Sequence, residues 1–263
     1  MSVTRGYGWT QPENTHRGSR SNLTGWRPAD YLLLGPEQPV TNQDWLGGCT
    51  GHAVATAMRY CLKLQGIADW LPSPLDLYLG GRILRGSQDV DSGATLANVL
   101  THAEKAGFGR DELWEYATHI HDFRGPPPKR FELDRDLHRL VNWEPLDWHL
   151  GTILWELASA HPVTVGLRVY QEFEHVGADG VVPMPAGGQV GGHAVTIVGY
   201  SLNRGAFRIQ NSWGPEWGQK GFGWISFQYV LNPYWCGEIH AVRVVRAIEA
   251  ARPEEPVGSG RTG

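Results

Sequence analysis

Cysteine is scarce in this chain: Cys49, Cys61 and Cys236 are all there is among 263 residues. An odd, sparse set excludes a disulfide framework, and at least one thiol is free by arithmetic. Cys49 and Cys61 on one helix would stand about 18 Å apart, beyond bridging distance. Charge of one sign is lacking too. The formal net charge is −4, both signs are interspersed, and no basic stripe offers itself to a nucleic acid. No apolar run is long enough to span a membrane, and "MSVTRGYGWTQPENTHRGSR" at the start lacks the core of a signal peptide. The expected location is therefore cytoplasmic, with no membrane partner, and the sequon at Asn22–Thr24 is expected to stay unmodified.

What remains is an ordinary globular composition, 41% hydrophobic and 19% charged, with no internal repeat. It suffices for one large domain or for two lobes sharing a cleft. Residues 1–40, rich in Gly, Pro, Arg and Asn, read as an extended arm lying over the body, and residues 249–263 as a disordered tail. Between them the pattern changes once. Residues 41–150 carry helical spacing: Val54, Ala57, Met58, Cys61 and Leu62 ending at Gly66, then a helix over Thr95–Ala106, with a third starting at His149. Residues 151–248 carry short β-rich runs: "VTVGLRV", "HAVTIVGY", "AFRIQ", "FGWISF" and "HAVRVV". Helices followed by strands predict an α+β architecture, with the site in the cleft between the lobes.

Folding the chain back at "SLNRG" pairs "HAVTIVGY" with "AFRIQ" and brings His193 and Asn211 to the open end of a hairpin. A carboxamide oxygen can fix the tautomer of an imidazole and leave its other nitrogen to face a thiol. Cys49, behind Gly47 and Gly48 at a helix start, is the candidate thiol, because a helix N-terminus and a neighbouring imidazolium both lower a thiol pKa. Gln43 can aim a carboxamide N–H at an oxyanion alongside the Cys49 amide. Taken alone, Cys49 reads as a small buried residue; with Gln43, His193 and Asn211 in register it reads as a nucleophile.

These segments resemble the papain-like cysteine peptidases. "NQDWLGGC" is similar to the family's stretch from oxyanion glutamine to nucleophile, "GGHAVTIVGY" to its histidine segment, and "IQNSWGPEWGQKGFGWI" to its asparagine segment. "LDLYLGGRILRG" followed by "DSGATLANVL" resembles the bacterial variant of the fold. The resemblance implies a helical lobe carrying Cys49, a β-barrel-like lobe carrying His193 and Asn211, Gln43 as oxyanion donor, and no cofactor. It also implies substrate contacts from Trp213, which covers the Asn–His pair, from Trp217 on the leaving-group side, from Asp91, Ser92 and Gly93 at the cleft edge, and from Gly192. Leu46, Thr50 and Gly192 depart from the family pattern, the last two in ways that would alter the walls around the thiol. The leader is shorter than the inhibitory propeptide of secreted relatives.

The expected reaction is hydrolysis of a peptide through an acyl-enzyme. Transfer of the acyl group to an amine shares the first half-reaction, and a silent binding protein retaining the cleft is the reading from another class. Other features carry less. His52, one turn after Cys49, reads as a surface or supporting histidine, "HIHD" at His119–Asp122 lacks a partner for a metal site, and "GGQVGG" reads as a loop rather than a phosphate cradle. Cys61, Cys236 and most of the 12 tryptophans are expected in the core.

Overall fold

The computed structural model describes residues 5–13, 18, 29–33 and 38–247. The expected tail, the sequon and parts of the N-terminal arm lie outside them. Three helices build the first lobe: α1 (Cys49–Leu64), α2 (Pro74–Ile83) and α3 (Leu96–Lys105). Ser73 and Thr95 cap α2 and α3 by accepting hydrogen bonds from the Asp76 and Asn98 amides, and Pro74 opens α2 where its missing N–H costs nothing. A later helix, Leu150–Ala158, starts from His149, whose ring accepts from the Thr152 amide.

The second lobe is a seven-stranded antiparallel sheet. Its strands are β1 (Tyr31–Leu32), β2 (His138–Pro145), β3 (Val163–Tyr170), β4 (Gln189–Ser201), β5 (Ala206–Gln210), β6 (Phe222–Ser226) and β7 (Cys236–Ala247). They run in the order β2-β7-β3-β4-β5-β6, with β1 against β4. The α+β expectation holds, but the sheet stays open instead of closing on itself as a barrel. β2 falls within the range expected to be helical. It is exposed or half-buried at most positions, so its register is set by β7 rather than by an alternating apolar face of its own.

The spacing of Val54, Ala57, Met58, Cys61 and Leu62 marks one apolar face on α1, yet the helix is buried almost all round. One side packs on α2; the other lies against the sheet, where Thr196 Oγ1 donates to the Ala53 carbonyl at 2.7 Å and Cys61 Sγ lies 3.3 Å from the Val242 carbonyl oxygen. Small residues at Gly51, Ala53, Ala55 and Ala57 permit this approach, and an added Cβ at Gly51 would meet the Pro74 carbonyl at 2.2 Å. The N-terminus of α1, with Cys49 as its first residue, is thereby held at the seam between the lobes.

Candidate active site

The β4–β5 hairpin does what its sequence predicted. Thr196 pairs with Gln210 and Tyr200 with Phe207, so His193 and Asn211 meet at the open end, where His193 Nε2 bonds Asn211 Oδ1 at 2.7 Å. The indole of Trp213 stacks on the imidazole at 4.4 Å between centroids and keeps water from that bond. His193 Nδ1 has no hydrogen-bond partner among the described residues. With Nε2 donating to the carboxamide oxygen, Nδ1 carries the lone pair available to take a proton. The main-chain N–H next to it, at Ala194, lies near enough to the Cys49 sulfur to favour its ionised form.

Gln43 is fully buried and held on every side. Its Oε1 accepts from Ser212 Oγ at 2.7 Å, its amide donates to the Ser212 carbonyl, and its own carbonyl accepts from Tyr116 Oη at 2.8 Å. One edge of the carboxamide is thus fixed, and Nε2 is aimed outward. It donates to the Leu46 carbonyl at 3.1 Å and, at 2.8 Å, to the carbonyl of Gly6.

That second partner belongs to the N-terminal arm, which lies through the cleft instead of over the body. Arg5 stacks over Trp213 at 4.4 Å and donates to the Glu174 carbonyl, while Tyr7 packs edge-on to the same indole and donates to Glu174. Gly8 passes Gly47 so closely that an added Cβ would sit 1.5 Å from the Gly47 oxygen, and the main-chain N–H groups of Gly8 and Trp9 lie near enough to the Cys49 sulfur to favour its ionised form. Trp9 then pairs in parallel with Ala94, the Ala94 amide donating to Gly8 and the Thr10 amide to Ala94. Its own amide donates to the Gly192 carbonyl at 3.2 Å. No apolar periodicity announces this segment; its signal is the spacing of Gly6, Gly8 and Trp9, which has meaning only against a cleft.

The arm alters the electrostatics. Burial pushes the Cys49 thiol up to about 11, against the lowering effect of main-chain hydrogen bonds from Ala194, Gly8, Trp9 and Thr50. Burial lowers His193 to about 4; the bond to Asn211 opposes that shift and Arg5 adds to it. Both shifts oppose the expected thiolate–imidazolium pair, because burial beneath the arm favours the neutral thiol and the neutral imidazole. Since the thiol titrates about two units above its ordinary value of 9.0, its ionised fraction at pH 8 falls roughly a hundredfold below that of an ordinary thiol. Iodoacetamide alkylation of Cys49, followed by mass spectrometry from pH 6 to 11.5, should accelerate up to about pH 11; a plateau reached below pH 9 would contradict this.

The remaining expected contacts divide. Gly192 lies against the arm, where a Cβ would meet the Trp9 carbonyl at 2.1 Å. Gly93 approaches Gly8 with φ of +72°, a conformation suited to glycine. Asp91 turns inward, accepting from the Gly47 amide and from Tyr78 Oη, so it shapes the turn before Cys49. Ser92 is exposed and bonds Ser87. Trp217 is buried, donates to the Phe173 carbonyl and reaches the site only through Phe173 and Trp213. His52 is not at the surface: it packs on Tyr116 and bonds Thr41, and burial with the nearby His193 lowers it to about 3. Thr50 is fully buried with its hydroxyl unpartnered among the described residues. Sequence reasoning missed Ala94 and Glu238, which are an ordinary helix-flank and an ordinary core-strand position until the arm is seen against them. Among the described residues no cluster of ligands could hold a metal, and no helix is long and apolar enough to cross a membrane.

Comparison with known proteins agrees with this architecture. Residues 148–241 match the model of the papain family cysteine proteases. An uncharacterized peptidase C1-like protein of Acanthamoeba polyphaga mimivirus is 30% identical over 73% of this chain and 65% of its own. A cathepsin B-like protein of Giardia intestinalis is 32% identical over 58% of this chain and 51% of its own, so the chain spans two thirds or less of the length of these relatives. In three dimensions, xylellain, a cysteine protease from Xylella fastidiosa, superposes with a TM-score of 0.80 at 24% identity over 93% of this chain and 98% of its own. Procathepsin B of Trypanosoma congolense superposes with a TM-score of 0.70 at 18% identity, covering 93% and 86%. At such identities the superpositions speak for the fold alone. By sequence and architecture together, the chain has the papain-like fold and is similar to the C1-type cysteine peptidases.

Proposed function

We propose that the chain is a thiol peptidase held latent by its own N-terminal segment. The observation that carries this reading is the convergence of Cys49, the His193–Asn211 pair and Gln43 beneath residues 5–10. With the arm displaced, Cys49 gives its proton to His193 Nδ1 and attacks a peptide carbonyl. Gln43 Nε2 and the Cys49 amide receive the oxyanion, in the direction where Nε2 now meets the Gly6 oxygen. His193 returns the proton to the departing amine, and water then releases the acyl group.

The arm is not itself in a position to react. The departing amine must lie beside His193, hence beside Trp213, so a substrate runs from the Trp9 side of Cys49 toward Trp213. The arm runs the other way, from Arg5 over Trp213 to Trp9, and pairs with Ala94 in parallel. Its carbonyl carbons present their leaving nitrogens to the wrong side of the thiol.

Hydrolysis is the reading adopted for the second half-reaction. A peptide digested with and without a large excess of added amine should yield the free acid as the main product in both. Amide as the main product at modest amine concentration would mark a transferase, and no turnover with no labelling of Cys49 by a peptide epoxide would favour a silent binding protein. Three unpaired cysteines support a reducing compartment as the place of action.

A further inference from the structure

The pocket that holds Trp9 is built in more detail than shielding a thiol requires. Three of its walls are glycines: an added Cβ would lie 2.1 Å from the indole nitrogen at Gly166, 2.9 Å from Cε3 at Gly192 and 2.8 Å from Cη2 at Gly237. They come from β3, β4 and the start of β7, neighbouring strands of the sheet, and together they leave a seat without side chains for the indole. At its floor Glu238, 5% exposed, accepts the indole N–H on Oε2 at 2.8 Å. An apolar cavity of about 90 Å³, bordered by Pro12, Ala97, Trp143 and Trp148, shares Gly237 and Glu238 with the Trp9 seat.

We propose that this slot is the specificity site of the opened enzyme and selects tryptophan on the acyl side of the cleaved bond. The inference rests on the peptidase reading above. The side follows from the leaving amine's place at Trp213, which puts the Trp9 slot on the opposite, acyl side of Cys49.

Glu238 decides among side chains through its unfilled acceptor positions. Oε1 is taken by the Ala97 amide at 2.8 Å and His240 Nε2 at 2.9 Å, and Oε2 by the Leu96 amide at 3.0 Å. Burial by itself raises the pKa of this carboxyl, but the bonds from His240, Trp9 and Ala97 outweigh it and hold the group below its usual range, so it stays an acceptor. One acceptor direction is left, facing a flat apolar slot. An indole supplies one donor on a planar ring. A guanidinium brings five donors, of which the slot satisfies one, and phenylalanine brings none and leaves a buried carboxylate oxygen short of its bond.

The test uses the full-length Trp9→Ala protein, which vacates the slot. Indole should raise its melting temperature and bind at least tenfold more tightly than indene, the same ring shape without the N–H; equal binding of the two, or of neither, overturns the proposal. Fluorogenic peptide amides carrying Trp, Phe, Leu or Arg at each of the two positions before the cleaved bond should favour Trp by tenfold or more in kcat/KM at one of them. Adding Glu238→Gln should reduce that preference more than it reduces turnover of the Leu substrate, and a preference for Arg or Phe would refute the assignment. If no peptide is cleaved and Cys49 is not labelled, the peptidase reading fails, while the indole measurement still reports on the slot. Should Trp9→Ala not fold, Gly8→Val empties the same slot by displacing the arm.

Discussion

Replacing Gly8 by valine is expected to switch the enzyme on. The substitution lies in an extended segment outside both lobes, yet its Cβ would fall 1.5 Å from the Gly47 carbonyl oxygen, against main chain that cannot yield. The arm must lift, and Trp9 must leave its slot. Buried aromatic anchors of this kind contribute about 2–4 kcal/mol to a docked segment, and each 1.4 kcal/mol is a factor of ten in the open fraction. Alkylation of Cys49 at pH 7 and peptide turnover should therefore both rise by on the order of a hundredfold. The alkylation midpoint should also drop below the ordinary thiol value, because an uncovered Cys49 regains the helix N-terminus and the imidazolium as partners. Equal rates for Gly8→Val and the parent chain would mean that the arm does not limit access to the thiol.

In that activated background, Cys49→Ala should abolish turnover. A nucleophile acts as a unit with its base, and removing it costs on the order of 10⁶ in kcat in enzymes of this logic. The fold should survive, because alanine suits the first turn of α1 and only a sulfur atom is lost from a position sealed by main chain. Cys61→Ala and Cys236→Ala provide the contrast. Both cysteines are buried, and burial holds both thiols far above the usual range, so these variants should lose stability and keep activity. Peptide turnover beside a thermal melt separates the outcomes. Activity retained by Cys49→Ala would end the assignment, whatever the melts show.

The parts of the molecule legible in its sequence are those whose information is local. α1, α3, the β4–β5 hairpin and the meeting of His193 with Asn211 all follow from periodicity, caps and a five-residue turn. Gln43 could be placed because its distance from Cys49 along the chain is short. What escaped depends on partners far away in sequence. β2 has no strong alternation and is a strand because β7 offers it an edge. Asp91 looks like a cleft-edge residue and is a brace for Gly47, since its role is set by a turn 44 residues earlier. Thr50 looked like a departure in the walls around the thiol; it is fully buried, and it is Gly8 and Trp9 of the arm that lie beside Cys49. Glu238 reads as one polar position in a core strand; only the arm and the start of α3 converging on it reveal a carboxylate with a single acceptor position left. A segment of glycine and tryptophan without periodicity gives no sign that it fits a groove until the groove exists.

Glu238 has one more consequence. Its two oxygens accept the first amides of α3, so a carboxylate from the sheet caps a helix of the opposite lobe. Prising the lobes apart would uncap that helix and strand a buried charge, so the groove has a fixed gauge. Entry cannot come from a jaw-like yawn of the whole molecule. On the latent-peptidase reading proposed above, it comes by peeling a ribbon from a rigid track, and the speed of that peeling should set the tempo of the first turnover.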